Sequence, residues 1–293
     1  MLGGVSSSGG PPVESGVVAS LDGTRIGFLR QGTGPGLVLV QGAMATAHQY
    51  REIAQALAAS FTVYTPDRRG RGMSPRGYED THDVARDVED VDAVLAAAGA
   101  GRVFGLSSGA MITLEAARTL PRVTSAAVYE PPFYPEGISH QGIGQLDAEI
   151  GRGDLASALI SSLLVAGTAP AVLRALPRPA ARLLARAVLA VDARRPGPEA
   201  TFRDLLPGIR YDFHVVGAMD PKMQMFAALD KPTLLLSGTR SPAFLRQSIR
   251  ELDRVLPRAQ HVELDGLSHS GPWNRGRGGR PEEVASALRD FFA

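Results

Sequence analysis

Gly105-Leu106-Ser107-Ser108-Gly109 follows the apolar pair Val103-Phe104 and opens a segment of helical character, Ala110-Met111-Ile112-Thr113-Leu114-Glu115-Ala116-Ala117. A strand that runs through G-x-S-x-G into a helix makes a strained turn that lifts one serine hydroxyl clear of the backbone. Glycines flank the serine because a side chain there would meet the neighbouring strand or helix. The pentapeptide alone is common, and an ordinary Gly/Ser turn is its bland reading. The strand before it and the helix after it give it meaning.

Working outward, the surrounding pattern alternates strand and helix. Val17 to Ser20 and Arg25 to Arg30 form a predicted hairpin around Asp22-Gly23. Gly36-Leu37-Val38-Leu39-Val40 is a continuous apolar run, expected of a strand covered on both faces. A short helix with Ile53 and Leu57 on one face leads to a strand from Phe61 to Tyr64, then to the loop Asp67-Arg68-Arg69-Gly70-Arg71-Gly72-Met73-Ser74. Val84, Val88, Val91 and Leu95 recur at helical spacing, with Thr81 as the expected N-cap. Val123 to Tyr129 is a strand stopped by Pro131-Pro132. From Phe133 to Met219 the pattern turns helical, with segments at Leu155 to Val165 and Ala180 to Val191 and no convincing strand. Alternation resumes with a strand from Thr233 to Leu236, a helix carrying Leu245, Ile249, Leu252 and Leu256, a strand from His261 to Leu264, and a helix from Pro281 to Phe292.

Such alternation predicts an α/β fold with a mostly parallel sheet of eight strands and a helical cap inserted after the sixth. The expected division is a disordered Gly/Ser/Pro-rich leader over 1–16, an α/β core over 17–132 and 220–293, and a cap over 133–219. The leader has neither the apolar nor the basic region of a signal peptide, and Arg182 and Arg186 interrupt the best candidate for a membrane span. With 31 basic and 30 acidic residues there is no electrostatic footprint for nucleic acid. The absence of cysteine excludes disulfides, thiolate metal sites and a cysteine nucleophile. A cytoplasmic protein acting on a small molecule, with no membrane or nucleic-acid partner and no cofactor, is the expectation; homo-oligomerisation is left open.

These residues resemble the α/β-hydrolase fold superfamily. Within it they resemble the capped branch of esterases, haloalkane dehalogenases, epoxide hydrolases and cofactor-free peroxidases. The likeness spans Val17 to the C-terminus and rests on four matches in order. Gln41-Gly42 stands where relatives carry His-Gly, and the loop from Asp67 to Ser74 matches D-x-R-G-x-G-x-S. The turn Gly105 to Gly109 follows, and Gly266-Leu267-Ser268-His269 matches G-x-x-H.

A serine hydroxyl needs a base within hydrogen-bond reach. His269, in a loop after the last strand, is the candidate; His48, His82, His140, His214 and His261 follow no comparable turn. The resemblance places an acid just after the strand Thr233 to Leu236, but Gly238-Thr239-Arg240-Ser241-Pro242 holds no carboxylate. Some relatives take the acid from the end of the preceding core strand, where this chain has Glu130. A Ser107–His269–Glu130 triad is therefore favoured, against a Ser–His dyad in which Glu130 anchors the cap. By resemblance, the backbone N–H groups of Ser108 and Ala43 stabilise an oxyanion, with Met44 as a substitute for Ala43. Gln41 is expected to hydrogen-bond within its loop. Asp67 and Arg69 are expected to brace loops through a salt link, and Asn274 to Arg280 to form a solvated loop.

Met44, Phe133, Tyr134, Tyr211, Phe213, His214 and Trp273 are candidate pocket walls, mostly apolar, with core packing the competing role for each. A serine nucleophile suits acyl chemistry, unlike the aspartate of dehalogenases and epoxide hydrolases. The expected activity is a serine hydrolase, of carboxylesterase or thioesterase type, acting on a medium-sized hydrophobic molecule. The alternatives are a cofactor-independent lyase or cyclase with His269 as general base, and a catalytically inactive binding protein.

Overall fold

The computed structural model describes residues 11–79 and 81–293. Among the described residues there are eight strands: β1 Glu14–Ala19, β2 Arg25–Gln31, β3 Gly36–Val40, β4 Thr62–Pro66, β5 Arg102–Leu106, β6 Ser125–Tyr129, β7 Thr233–Gly238 and β8 Ala259–Leu264. They form one sheet in the order β1-β2-β4-β3-β5-β6-β7-β8, antiparallel at β1-β2 and β2-β4 and parallel across the rest. Between the strands lie α1 Arg51–Leu57, α2 Val84–Ala98 and α3 Ser108–Thr119. The segment between β6 and β7 holds α4 His140–Gly151, α5 Leu155–Val165, α6 Ala171–Ala175, α7 Arg178–Asp192, α8 Phe202–Leu205 and α9 Ile209–Met219. After β7 come α10 Ala243–Val255 and α11 Pro281–Phe292.

The central strands read as unbroken apolar runs because both faces are covered. Val38 and Val40 of β3 join the core under α2 and α3, while Leu37 and Leu39 join the core under α1 and α11. β6 divides in the same way, with Ala126 and Val128 on one side and Ala127 and Tyr129 on the other. This period of two is what a strand imposes on successive side chains. Each large apolar side chain so enclosed contributes about 1.5–3 kcal/mol.

Two expectations about the chain's first half need correction. The first strand begins at Glu14, inside the stretch 1–16 read as a leader. Glu14 opposes Arg30 in the β1-β2 register and pairs with it at 2.8 Å, so three of those residues are held by a neighbouring strand. Residues 1–10 lie outside the described residues. The N-cap of α2 is Asp83, whose carboxylate accepts the Ala85 N–H, and not Thr81.

The helical segment also runs past Met219. Asp220 continues α9 into a 3₁₀ helix, Asp220–Ala228, so no break in structure falls at 219/220. The Asp220 carboxylate accepts the N–H groups of Tyr134 and Ile138 at 2.6 and 2.7 Å, tying the two ends of the insertion together. Among the described residues, no helix is long and apolar enough to cross a membrane.

Candidate active site

Among the described residues, three non-glycine residues have positive φ: Met44, Ser107 and Glu130. All three stand at or just beyond the C-terminal edge of the parallel strands. Ser107, at φ 56° and ψ −124°, is the hinge between β5 and α3. Its N–H donates to Tyr129 O at 2.9 Å, and its own carbonyl accepts the N–H groups of Ala110 and Met111. Holding a side chain in such a backbone region costs about 1–3 kcal/mol, which the surroundings must supply. The flanking glycines are steric necessities. A Cβ on Gly105 would lie 2.3 Å from Gly109 O, and one on Gly109 would lie 2.4 Å from Gln41 O.

Glu130 follows β6 as Ser107 follows β5, and the register pairs Leu106 with Tyr129 on those strands. Its side chain is fully buried. Oε1 accepts the Gly238 N–H at 2.8 Å, and Oε2 lies 2.7 Å from His269 Nδ1. An ionised carboxylate only accepts, so this bond places the imidazole proton on Nδ1 and leaves Nε2 with its lone pair. The loop that carries His269 is pinned from both sides: Tyr129 Oη donates to Ser268 O at 2.8 Å, and Arg240 N–H donates to Leu267 O at 2.8 Å. His269 and Ser107 are both half-buried. Among the hydrogen bonds of the described residues, none engages His269 Nε2 or Ser107 Oγ.

Ser108 opens α3, so its N–H has no partner within the helix. Ala43 and Met44 lie half-buried in the loop after β3. Gln41 does not hydrogen-bond within that loop as expected: neither side-chain polar atom has a partner among the described residues. The loop's carbonyls are taken by arginines instead. Arg68 Nη1 reaches Gln41 O at 3.4 Å, and Arg71 Nη1 reaches Gly42 O at 3.3 Å and Ala45 O at 3.5 Å.

Those arginines belong to a buried ionic cluster that sequence reasoning missed. Asp212, from α9, pairs with Arg68 and with Arg71 Nη2 at 2.6 Å, and it accepts Ser108 Oγ at 2.6 Å. Burial alone would raise the Asp212 carboxyl, but Arg71 and Arg68 outweigh it and hold it below its usual range. Asp87 behaves likewise between Arg68 and His82. The loop-bracing pair turns out not to be one link. Asp67 accepts the Ala47 and Met73 N–H groups at 2.6 and 2.7 Å, while Arg69 forks onto Asp90 and reaches Asp22. Nor is the loop Asn274 to Arg280 simply solvated. The Arg277 side chain is 6% exposed and pairs with Asp192 at 2.9 Å and Glu199 at 2.8 Å, joining the cap to the core.

The aromatic candidates separate by what they touch. Phe133 packs on Phe226, and Phe213 lies within the core. Tyr211 lays its ring where a Cβ on Gly70 would stand, and its hydroxyl donates to Gly77 O at 2.8 Å. His214 bonds Asp147 at 2.8 Å, joining α9 to α4. Packing therefore occupies Phe133, Tyr211, Phe213 and His214. Tyr134, stacked on Phe244, gives its hydroxyl to Ala166 O. Met44 and Trp273 are half-buried and also pack, Met44 against the core under α2 and α3 and Trp273 against the core under α1 and α11, the latter with its indole N–H unpartnered among the described residues.

The model of the alpha/beta hydrolase family matches residues 37–287. A pimeloyl-[acyl-carrier protein] methyl ester esterase from Stenotrophomonas maltophilia is 28% identical over 89% of this chain and 94% of its own length. An alpha/beta hydrolase from Sphaerobacter thermophilus superposes with a TM-score of 0.75 at 32% identity, covering 95% of this chain and all of that one. A thermophilic esterase from Thermogutta terrifontis shares the fold at a TM-score of 0.69 and 18% identity, over 95% of this chain and 98% of its own.

Proposed function

The chain belongs to the alpha/beta hydrolase family, and from that premise we propose that it is a serine esterase or thioesterase working through an acyl-enzyme on Ser107. The observation that carries this reading is the 2.7 Å bond between Glu130 Oε2 and His269 Nδ1, made beside a serine held at positive φ on the neighbouring strand end. In this scheme His269 Nε2 takes the Ser107 proton as Oγ attacks the substrate carbonyl. Glu130 fixes the imidazole tautomer and stabilises the imidazolium that forms. The N–H groups of Ser108 and Ala43 receive the oxyanion, and His269 returns its proton to the departing alcohol or thiol. Water activated by the same imidazole then releases the acid.

Met44, next to Ala43, and Trp273, four residues beyond His269, suit a medium-sized apolar acyl or alcohol part. The lyase or cyclase alternative drew on two features, the missing carboxylate after β7 and Gln41 in place of the family's histidine. The bond from Glu130 to His269 supplies an acid from the neighbouring strand and weighs against the first, while Gln41 still stands on the side of that alternative.

The test is hydrolysis of p-nitrophenyl esters of increasing acyl length by wild type and Ser107→Ala. The proposal expects turnover that rises toward medium chains and vanishes in the variant. Equal turnover by both proteins would refute it.

A further inference from the structure

We propose that Asp212 is a positioning residue that aligns both oxyanion donors and makes their alignment depend on the cap helix α9 being seated. This rests on the esterase reading above and adds to it a residue from outside the core. Asp212 is 2% exposed, and each of its oxygens meets a different part of the site. Oδ1 accepts Ser108 Oγ at 2.6 Å, on the residue whose N–H is one proposed donor. Oδ2 accepts Arg71 Nη2 at 2.6 Å, and the other terminal nitrogen of that guanidinium holds Gly42 O and Ala45 O, the carbonyls bracketing Ala43 and Met44. Arg68 binds the same carboxylate and crosses to Gln41 O and to Ser108 Oγ, the latter at 3.1 Å. One carboxylate thus stands behind both walls of the proposed oxyanion hole.

The chemistry makes the arrangement conditional. Arg68 and Arg71 fill unspecified positions of D-x-R-G-x-G-x-S, so that pattern does not itself require the cluster. Two buried guanidinium groups need carboxylate partners, and Asp87 reaches only Arg68. Arg71 has Asp212 as its ion-pair partner among the described residues. With α9 displaced, Arg71 would lose that partner and the loop Gln41–Ala45 would lose the geometry it imposes. A buried charge stripped of its partner is strongly unfavourable, so the loop and the cap seat together.

The experiment compares wild type, Asp212→Asn, Ser108→Ala and the double variant. For each, kcat and KM on p-nitrophenyl acetate are measured per active site titrated with a fluorophosphonate. Small displacements of catalytic groups cost up to about a hundredfold, so Asp212→Asn is expected to lower kcat by about 10- to 100-fold with KM within about threefold of wild type. Ser108→Ala keeps its backbone N–H and should lose less, about 3- to 10-fold, and the double variant should be no slower than Asp212→Asn alone. Wild-type kcat per titrated site in Asp212→Asn, or losses that multiply in the double variant, would overturn the proposal, because a residue serving only stability lowers yield and melting temperature but not titrated kcat. Should Asp212→Asn fail to fold, Ser108→Ala alone decides, and wild-type kcat there overturns it. An inactive wild type that takes no label at Ser107 would overturn the underlying reading instead, and this inference with it.

Discussion

Glu130→Gln changes one atom and should disable the enzyme without unfolding it. The side chain is fully buried, with Oε1 accepting the Gly238 N–H and Oε2 facing His269 Nδ1. A glutamine that keeps its oxygen toward Gly238 presents its NH₂ to Nδ1. The ring must then accept at Nδ1 and carry its proton on Nε2, where it cannot take a proton from Ser107. Turning the amide around restores the tautomer but sets a donor against the Gly238 N–H, and leaving such a group unsatisfied costs about 1–3 kcal/mol. In either orientation the imidazolium loses the carboxylate that stabilises it. Loss of the orienting acid in such triads lowers kcat by about 10⁴, so a fall of about 10³–10⁴ is expected, or about 4–5.5 kcal/mol of barrier. Steady-state hydrolysis of a p-nitrophenyl ester, with the melting temperature as a folding control, measures it. A folded Glu130→Gln enzyme within about threefold of wild type in kcat would refute the reasoning and leave a Ser–His dyad.

Other consequences concern the frame around that bond. Gly109→Ala would drive a Cβ to 2.4 Å from Gln41 O and 2.6 Å from Val40 O, backbone atoms that cannot yield cheaply. Overpacking of about 1–3 kcal/mol corresponds to a melting point lower by roughly 2–5 °C, and an unchanged value in a thermal scan would contradict it. Arg277→Ala would leave Asp192 with Arg195 at 3.6 Å and the Phe202 N–H at 2.6 Å; about 1.5–3 kcal/mol of stability should be lost, with earlier proteolysis of the cap, and wild-type resistance would be the contrary result. The carboxyls of Asp212 and Asp87 are held below their ordinary value of 3.8, so they favour the folded state above that pH and lose this contribution as pH falls through their folded values. Urea midpoints should therefore drop below about pH 4 in wild type and drop less steeply in Asp212→Asn; parallel curves would count against the assignment.

The strands were legible because burial on both faces writes itself as runs such as Leu37-Val38-Leu39-Val40, and Gly105 to Gly109 could be placed between a strand and a helix. Glu130 was legible through the resemblance and not through burial: some relatives take the acid from the end of this core strand, and there the chain reads Tyr129-Glu130-Pro131-Pro132. Asp212 carried no such signal. Its partners Arg68, Arg71 and Ser108 lie 144, 141 and 104 positions away, and a charged residue on a helix looks the same in sequence whether it faces water or two arginines. The same ambiguity hid Arg277, whose glycine-rich surroundings suggested a solvated loop. Glu14 was misjudged because a polar edge strand, open to solvent on one side, lacks the apolar content that marks an inner one. The aromatic residues of α9 have the composition of a pocket wall, but Tyr211 and Phe213 serve as packing.

Rapid quenching of the enzyme with a p-nitrophenyl ester, followed by peptide mass analysis, tests the central claim most directly. The account predicts a transient acyl mass on the peptide containing Ser107, formed in a burst and absent in His269→Ala. Steady turnover with no acyl adduct at any time, or an adduct on another residue, would contradict it.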